Sequence, residues 1–131
     1  MRDYLVVQPR ESNEQMITGV AVLPVFNGKL GLIRVYRPAI KAAVWKIPRG
    51  FVDANEPEPI AALRELEEEK GLTTLSEDLH SLGLIAPDDG VLAARIHLFV
   101  AASCTIVHSL TLRSWDTKPF NSSRWGKSLQ W

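Results

Sequence analysis

Residues 50–72 read GFVDANEPEPIAALRELEEEKGL. Pro57 and Pro59 stand ahead of a run made almost entirely of strong helix formers, and Gly71 stands just past it. Proline loses nothing in a first helical turn, where the N–H groups have no partner, and glycine suits the position after the last turn. A helix ending before Gly71 is therefore expected. At about 100° per residue, Glu65, Glu68 and Glu69 share one face of it. Ile60, Ala62, Leu63 and Leu66 occupy the opposite arc, which is expected to pack on a sheet. Like charges at these spacings cost a few tenths of a kcal/mol per pair, and Arg64 and Lys70 relieve only part of that. Two readings fit: a solvated charged face, or grouped carboxylates for a hard divalent cation such as Mg²⁺, which keeps waters and bridges to phosphates.

Outward from the helix the pattern turns to strands. YLVV (4–7) reads as a short strand closed by Pro9, and ITGVAVLPVF (17–26) as a longer one. Asn27-Gly28 is a strong hairpin signal, with KLGLIRVYR (29–37) as the returning partner. VWKIP (44–48) precedes the Gly50 loop. HSLGLIA (80–86) and ARIHLFVAA (94–102) flank a turn at PDDG (87–90). Strands on both sides of one helix predict a mixed α/β domain of sandwich type.

Composition narrows the function. Fifteen basic residues balance fifteen acidic ones, so nothing global points to nucleic acid or an anionic membrane. Cys104 is the single cysteine, which excludes an internal disulfide and fits a reducing cytoplasm. The N-terminus has no apolar run of signal-peptide length, and ITGVAVLPVF is too short to span a bilayer.

The acidic helix gains meaning from spacing. Gly50, Glu56, Arg64-Glu65-Leu66, Glu68-Glu69 and Gly71-Leu72 resemble the Nudix box at all nine of its defined positions across twenty-three residues. The chain is identified on this resemblance as similar to the Nudix hydrolases from about Val20 to Ala102, and a Nudix-type α/β/α sandwich with a mixed β-sheet and a central catalytic helix is implied. The resemblance implies Glu65, Glu68 and Glu69 as ligands of Mg²⁺ or Mn²⁺, joined by the backbone carbonyl of Arg49. It implies Arg64 as the residue that orients them and Glu56 as the one that shapes the loop. The implied reaction is metal-dependent hydrolysis of a pyrophosphate linkage.

RVYRP (34–38) followed by VWKIPRGF (44–51) resembles the segment leading into the box in ADP-ribose pyrophosphatases, and Pro87, fifteen residues past Leu72, resembles a proline of that group. A nucleoside diphosphate linked to another moiety is implied as substrate, with ADP-ribose or an ADP-sugar giving AMP and a sugar phosphate. By that analogy Arg37, Arg34 and Arg49 would meet the diphosphate and Trp45 would stack on the base. The bland readings are a structural ion pair for Arg37, a solvent-facing strand residue for Arg34 and a core residue for Trp45. Lys46 departs from the pattern, since relatives often carry an acid there. Dinucleoside polyphosphates, oxidised nucleotides, or nucleotide binding without turnover are the alternatives. Relatives often dimerise, so a homodimer is expected despite the shortened N-terminal region.

The last segment is different in character. No Glu follows Glu77, the lone acid after Ala102 is Asp116, and Trp115, Trp125 and Trp131 crowd the end. The chain is read as one Nudix domain over 1–131 with an atypical tail from about 103. Either that tail is native and divergent, or a reading-frame slip in the coding DNA produced it. Read one base out of register from Ser114, the codons permit an alternating and then helical sequence with a Glu at the Thr117–Lys118 junction.

Overall fold

The computed structural model describes residues 4–10 and 12–107. Its spine is β1 (Ile17–Phe26), whose residues from Ile17 through Val22 are all buried. Asn27 and Gly28 both take positive φ, at 49° and 69°, and turn the chain into β2 (Lys29–Leu30), which pairs antiparallel with Val25 and Phe26.

There the expected long returning strand divides. β3 (Ile33–Arg37) leaves β1 and pairs antiparallel with β4 (Ala42–Lys46), forming a separate hairpin around a single 3₁₀ turn at Pro38–Ile40. The cause lies in β5 (Arg49–Phe51), which takes the edge of β1 at Gly19–Ala21. Pro24 falls in the gap between β5 and β2, where its missing N–H is harmless, and its carbonyl accepts Gly31 N–H at 2.8 Å.

The opposite edge of β1 pairs in parallel with β8 (Arg95–Ala101), and β8 pairs antiparallel with β7 (Leu79–Ile85). A mixed sheet results, in the order β2-β1-β8-β7 with β5 beside β1. The segment 4–7 contributes only an isolated bridge, Val7 to Leu92.

Helix α1 (Glu58–Lys70) opens with Pro57 at its N-cap and closes at Gly71, whose N–H reaches the Glu67 carbonyl at 2.7 Å. Beyond it β6 (Leu72–Thr73) pairs with β9 (Thr105–Ile106), and Val107 N–H returns to the Gly71 carbonyl. The core joins Ala61, Ala62 and Leu66 of the helix to Val20, Val22 and Phe99 of the sheet. Burial of each larger side chain contributes about 1.5–3 kcal/mol.

The helix buries Ala62 and Leu66 as expected, but the rest of its buried face differs. Ile60 is exposed, whereas Ala61, Ala62, Glu65 and Leu66 are buried. The helix thus turns the Glu65 carboxylate toward the sheet, where it lies against Gly50 of β5 and is held by Arg64. The fold is mixed α/β, with α1 the one α-helix among the described residues. The first part of the expected tail, 103–107, belongs to the fold through Cys104 and β9, while the rest of it, Asp116 and the frame-slip reading lie outside the described residues. No helix among them is long and apolar enough to cross a membrane.

Candidate active site

Alternation along β5 decides which groups face the helix. Val22 N–H donates to the Pro48 carbonyl at 2.9 Å and Val52 N–H to the Thr18 carbonyl at 3.2 Å, so Pro48 and Val52 look toward β1. Arg49 and Phe51, one residue out of step, turn their backbone groups the other way. On that side Glu69 Oε2 accepts Arg49 N–H at 2.8 Å, and Arg64 Nη2 donates to the Phe51 carbonyl at 3.0 Å. The Arg49 carbonyl opens on the same side.

The space beside Gly50 is taken by the Glu65 carboxylate. A Cβ on Gly50 would stand 1.9 Å from Glu65 Oε1. No side chain larger than hydrogen fits while Glu65 keeps its place. Close approach, not a positive φ, is what calls for glycine here.

Arg64 ties the carboxylates together. Its Nε and Nη2 meet Glu56 Oε1 and Oε2, each at 2.9 Å, in a two-point fork. Its Nη1 donates to Glu65 Oε1 at 2.8 Å and to Glu68 Oε2 at 3.3 Å. Glu56 also accepts Asp53 N–H at 3.0 Å, which braces the loop. The Arg64 hydrogen bonds, helped by that N–H, hold the Glu56 carboxyl down to about 2. Glu56 and Glu65 in turn push the Arg64 guanidinium further above its ordinary value. Glu65 moves the opposite way from Glu56: only 8% exposed, it is raised by burial more than Arg64 lowers it.

Glu69 has a different cation. Its Oε1 lies 3.1 Å from Lys46 Nζ, at the end of β4. The acids of this helix face therefore rest on Arg64 and Lys46. Their oxygens are the hard donors that Mg²⁺ or Mn²⁺ prefers, and three of them project from one face of α1 beside a free-facing peptide carbonyl, so the donor set fits a divalent ion in chemistry. Among the described residues no three His, Cys, Asp or Glu side chains converge as a ready cation cage.

The remaining sequence candidates sit on the hairpin. Arg34 and Trp45 face each other across β3 and β4, with the guanidinium 5.9 Å from the ring centroid. Trp45 is 50% exposed, which removes its reading as a core residue. Arg34 is exposed and Arg37 half-buried, and Arg37 has no ion pair among the described residues. Among the described residues no hydrogen bond or ion pair joins these three side chains to the carboxylates; Lys46 of the same hairpin makes that link. Sequence reasoning marked Lys46 as a departure and gave it no partner. It also missed the Phe51 carbonyl, which only strand alternation could have found.

The histidine of β8 stays outside this cluster. His97 bridges Ser81 Oγ, at 2.6 Å from Nε2, and Glu58 through Nδ1, a satisfied structural position. Cys104 is buried in the core, and burial pushes its thiol up to about 11.

Comparison with known proteins places this geometry. The NUDIX domain profile matches residues 16–125. The chain is 35% identical over 83 residues to the methanol dehydrogenase activator of Bacillus methanolicus, covering 63% of this chain and 44% of that protein. It is 30% identical over 89 residues to the ADP-ribose pyrophosphatase of Bacillus subtilis (strain 168), covering 67% and 47%. The chain thus spans under half the length of either relative. A crystal structure of an ADP compounds hydrolase superposes with a TM-score of 0.65 at 25% identity, over 76% of this chain and 52% of that one. Because the matched profile runs from before β1 to beyond β9 and encloses every carboxylate described above, the chain belongs to the NUDIX domain family.

Proposed function

We propose that the chain is a divalent-metal-dependent pyrophosphohydrolase acting on a nucleoside diphosphate linked to another moiety, with ADP-ribose or an ADP-sugar as substrate and AMP and a sugar phosphate as products. One observation carries the reading: Glu65 and Glu69 both press against the Arg49–Gly50 peptide, one through close approach to Gly50 and the other through Arg49 N–H. The bacterial ADP-ribose pyrophosphatase and the ADP compounds hydrolase among its likenesses support the choice of substrate.

Glu65, Glu68, Glu69 and the Arg49 carbonyl would hold Mg²⁺ or Mn²⁺, which supplies phosphate charge neutralisation and a more acidic bound water. The rest falls to the chain itself. Arg64 holds Glu65 and Glu68 in place and anchors them to the loop through Glu56. Arg34, Arg37 and the exposed Arg49 offer planar donor forks to the diphosphate, and the half-exposed ring of Trp45 offers a stacking face for the base. Hydrolysis adds water across the anhydride, breaking one P–O bond and leaving a phosphate on each product.

The test is AMP release from ADP-ribose, ADP-glucose, diadenosine polyphosphates and 8-oxo-dGTP, with Mg²⁺ and with EDTA, beside Glu69→Gln. Turnover of ADP-ribose that needs both the metal and Glu69 is expected; metal-independent release, or full activity in Glu69→Gln, sinks the reading. A second reading, nucleotide binding with little turnover, is favoured by the Lys46–Glu69 pair and predicts ADP-ribose binding without AMP. A cytoplasmic location is supported by the single cysteine. A homodimer is supported by Leu82, Leu84 and Ile85 exposed on β7, and sedimentation of the full chain tests it.

A further inference from the structure

Glu69 is held differently from the other acids of its helix face. Both of its oxygens are engaged by the short segment 46–49, Oε1 by Lys46 Nζ at 3.1 Å and Oε2 by Arg49 N–H at 2.8 Å. The Lys46 and Glu69 side chains are 18% and 26% exposed, so the pair is shielded from bulk solvent rather than displayed on the surface. Arg64 does not compete for Glu69, since its donors are taken by Glu56, Glu65, Glu68 and the Phe51 carbonyl.

The position of Lys46 is also well defined. It is paired with Ile33 in the β3–β4 hairpin and followed two residues later by the buried Pro48. Glu69 is its only ionic partner among the described residues. A lysine ammonium is a compact charge on a flexible four-carbon stem, able to release a carboxylate without moving the backbone.

We propose that Lys46 is a built-in counter-ion of the acidic site: a tethered cation on Glu69 that a divalent ion must displace in order to bind. The inference rests on the reading of Glu69 as a metal ligand. The tethered ammonium neutralises the carboxylate that would otherwise draw the ion most strongly. The site therefore fills only at a higher concentration of free metal than the bare carboxylates would need. Lys46 acts through Glu69 and is a positioning residue.

The experiment is Mn²⁺ binding alone, followed by the loss of the free-ion electron paramagnetic resonance signal, on the folded 131-residue chain. Wild type is compared with Lys46→Met, Lys46→Gln, Lys46→Arg and Glu69→Gln. Removing a unit charge this close is expected to tighten Mn²⁺ roughly tenfold in both neutral variants. Lys46→Arg should stay near wild type, and Glu69→Gln should weaken binding. A purely structural lysine would give the opposite sign, since its loss would loosen the site. Unchanged or weaker binding in Lys46→Met and Lys46→Gln, with Glu69→Gln still impaired, overturns the counter-ion role alone. Wild-type affinity in Glu69→Gln instead overturns the metal-site reading beneath it. Melting curves for each variant establish that the folded protein is what is titrated.

Discussion

Gly50 and Glu65 occupy one another's space: a Cβ on the first would lie 1.9 Å from a carboxylate oxygen of the second. The glycine and the glutamate are thus a single requirement written at two places in the chain. Gly50→Ala should lower stability by about 2 kcal/mol through overpacking. It should also cut hydrolysis by roughly 100-fold or more by displacing Glu65. In a Glu65→Ala background the same substitution should cost almost nothing in stability. Urea unfolding of the two single variants and the double variant checks this, and equal costs in both backgrounds would refute it.

Arg64 cannot be replaced by another cation. Its planar fork serves Glu56 twice while also reaching Glu65, Glu68 and the Phe51 carbonyl. An ammonium has no such geometry. Arg64→Lys should destabilise the fold by about 2–3 kcal/mol, because the buried Glu65 carboxylate loses a charge-assisted partner. Denaturant midpoints measure this directly, and a loss below about 0.5 kcal/mol would show that the network is decorative.

The Glu56 carboxyl gives a pH signature. Its folded value, about 2, lies below the ordinary 4.5, so the unfolded chain binds the proton first. Its contribution is fully present above pH 4.5 and is lost as pH falls from there toward about 2. Glu56→Gln should therefore cost about 2 kcal/mol at pH 6 and progressively less below pH 4.5. Comparing wild type and variant across that window tests the sign, and a constant difference would show that the Glu56 charge does not carry the effect.

Much of this was legible in residues. The helix bounds followed from Pro57, Pro59 and Gly71, and β1, β7 and β8 from apolar runs and turns. The box spacing marked the glutamates and Arg64. Two things were not legible. The segment 29–37 looks like one strand, but which edge its second half joins depends on β5 claiming β1 first, and that is a contest between distant segments. The helix face was misjudged because periodicity weighs Glu65 as a polar residue. Its burial is bought by Arg64 and by the empty side of Gly50, and no hydrophobic pattern records either. Lys46 stood out only by its charge; its partner sits twenty-three residues away and is brought near by the hairpin.

The parallel pairing of β1 with β8 also sets an order of events for the growing chain. Its partners lie roughly 80 residues apart, and the whole acidic helix is encoded between them. On a ribosome adding about 5–20 residues per second, β1 waits several seconds for its longest partner, its β8 edge unpaired while β2, β5 and α1 take their places. Through that interval an apolar strand ten residues long is open to wrong neighbours. The same strand that later anchors β5 and its acidic cluster is thus an aggregation hazard during synthesis, and yield in cells should depend on how quickly residues 95–101 follow it.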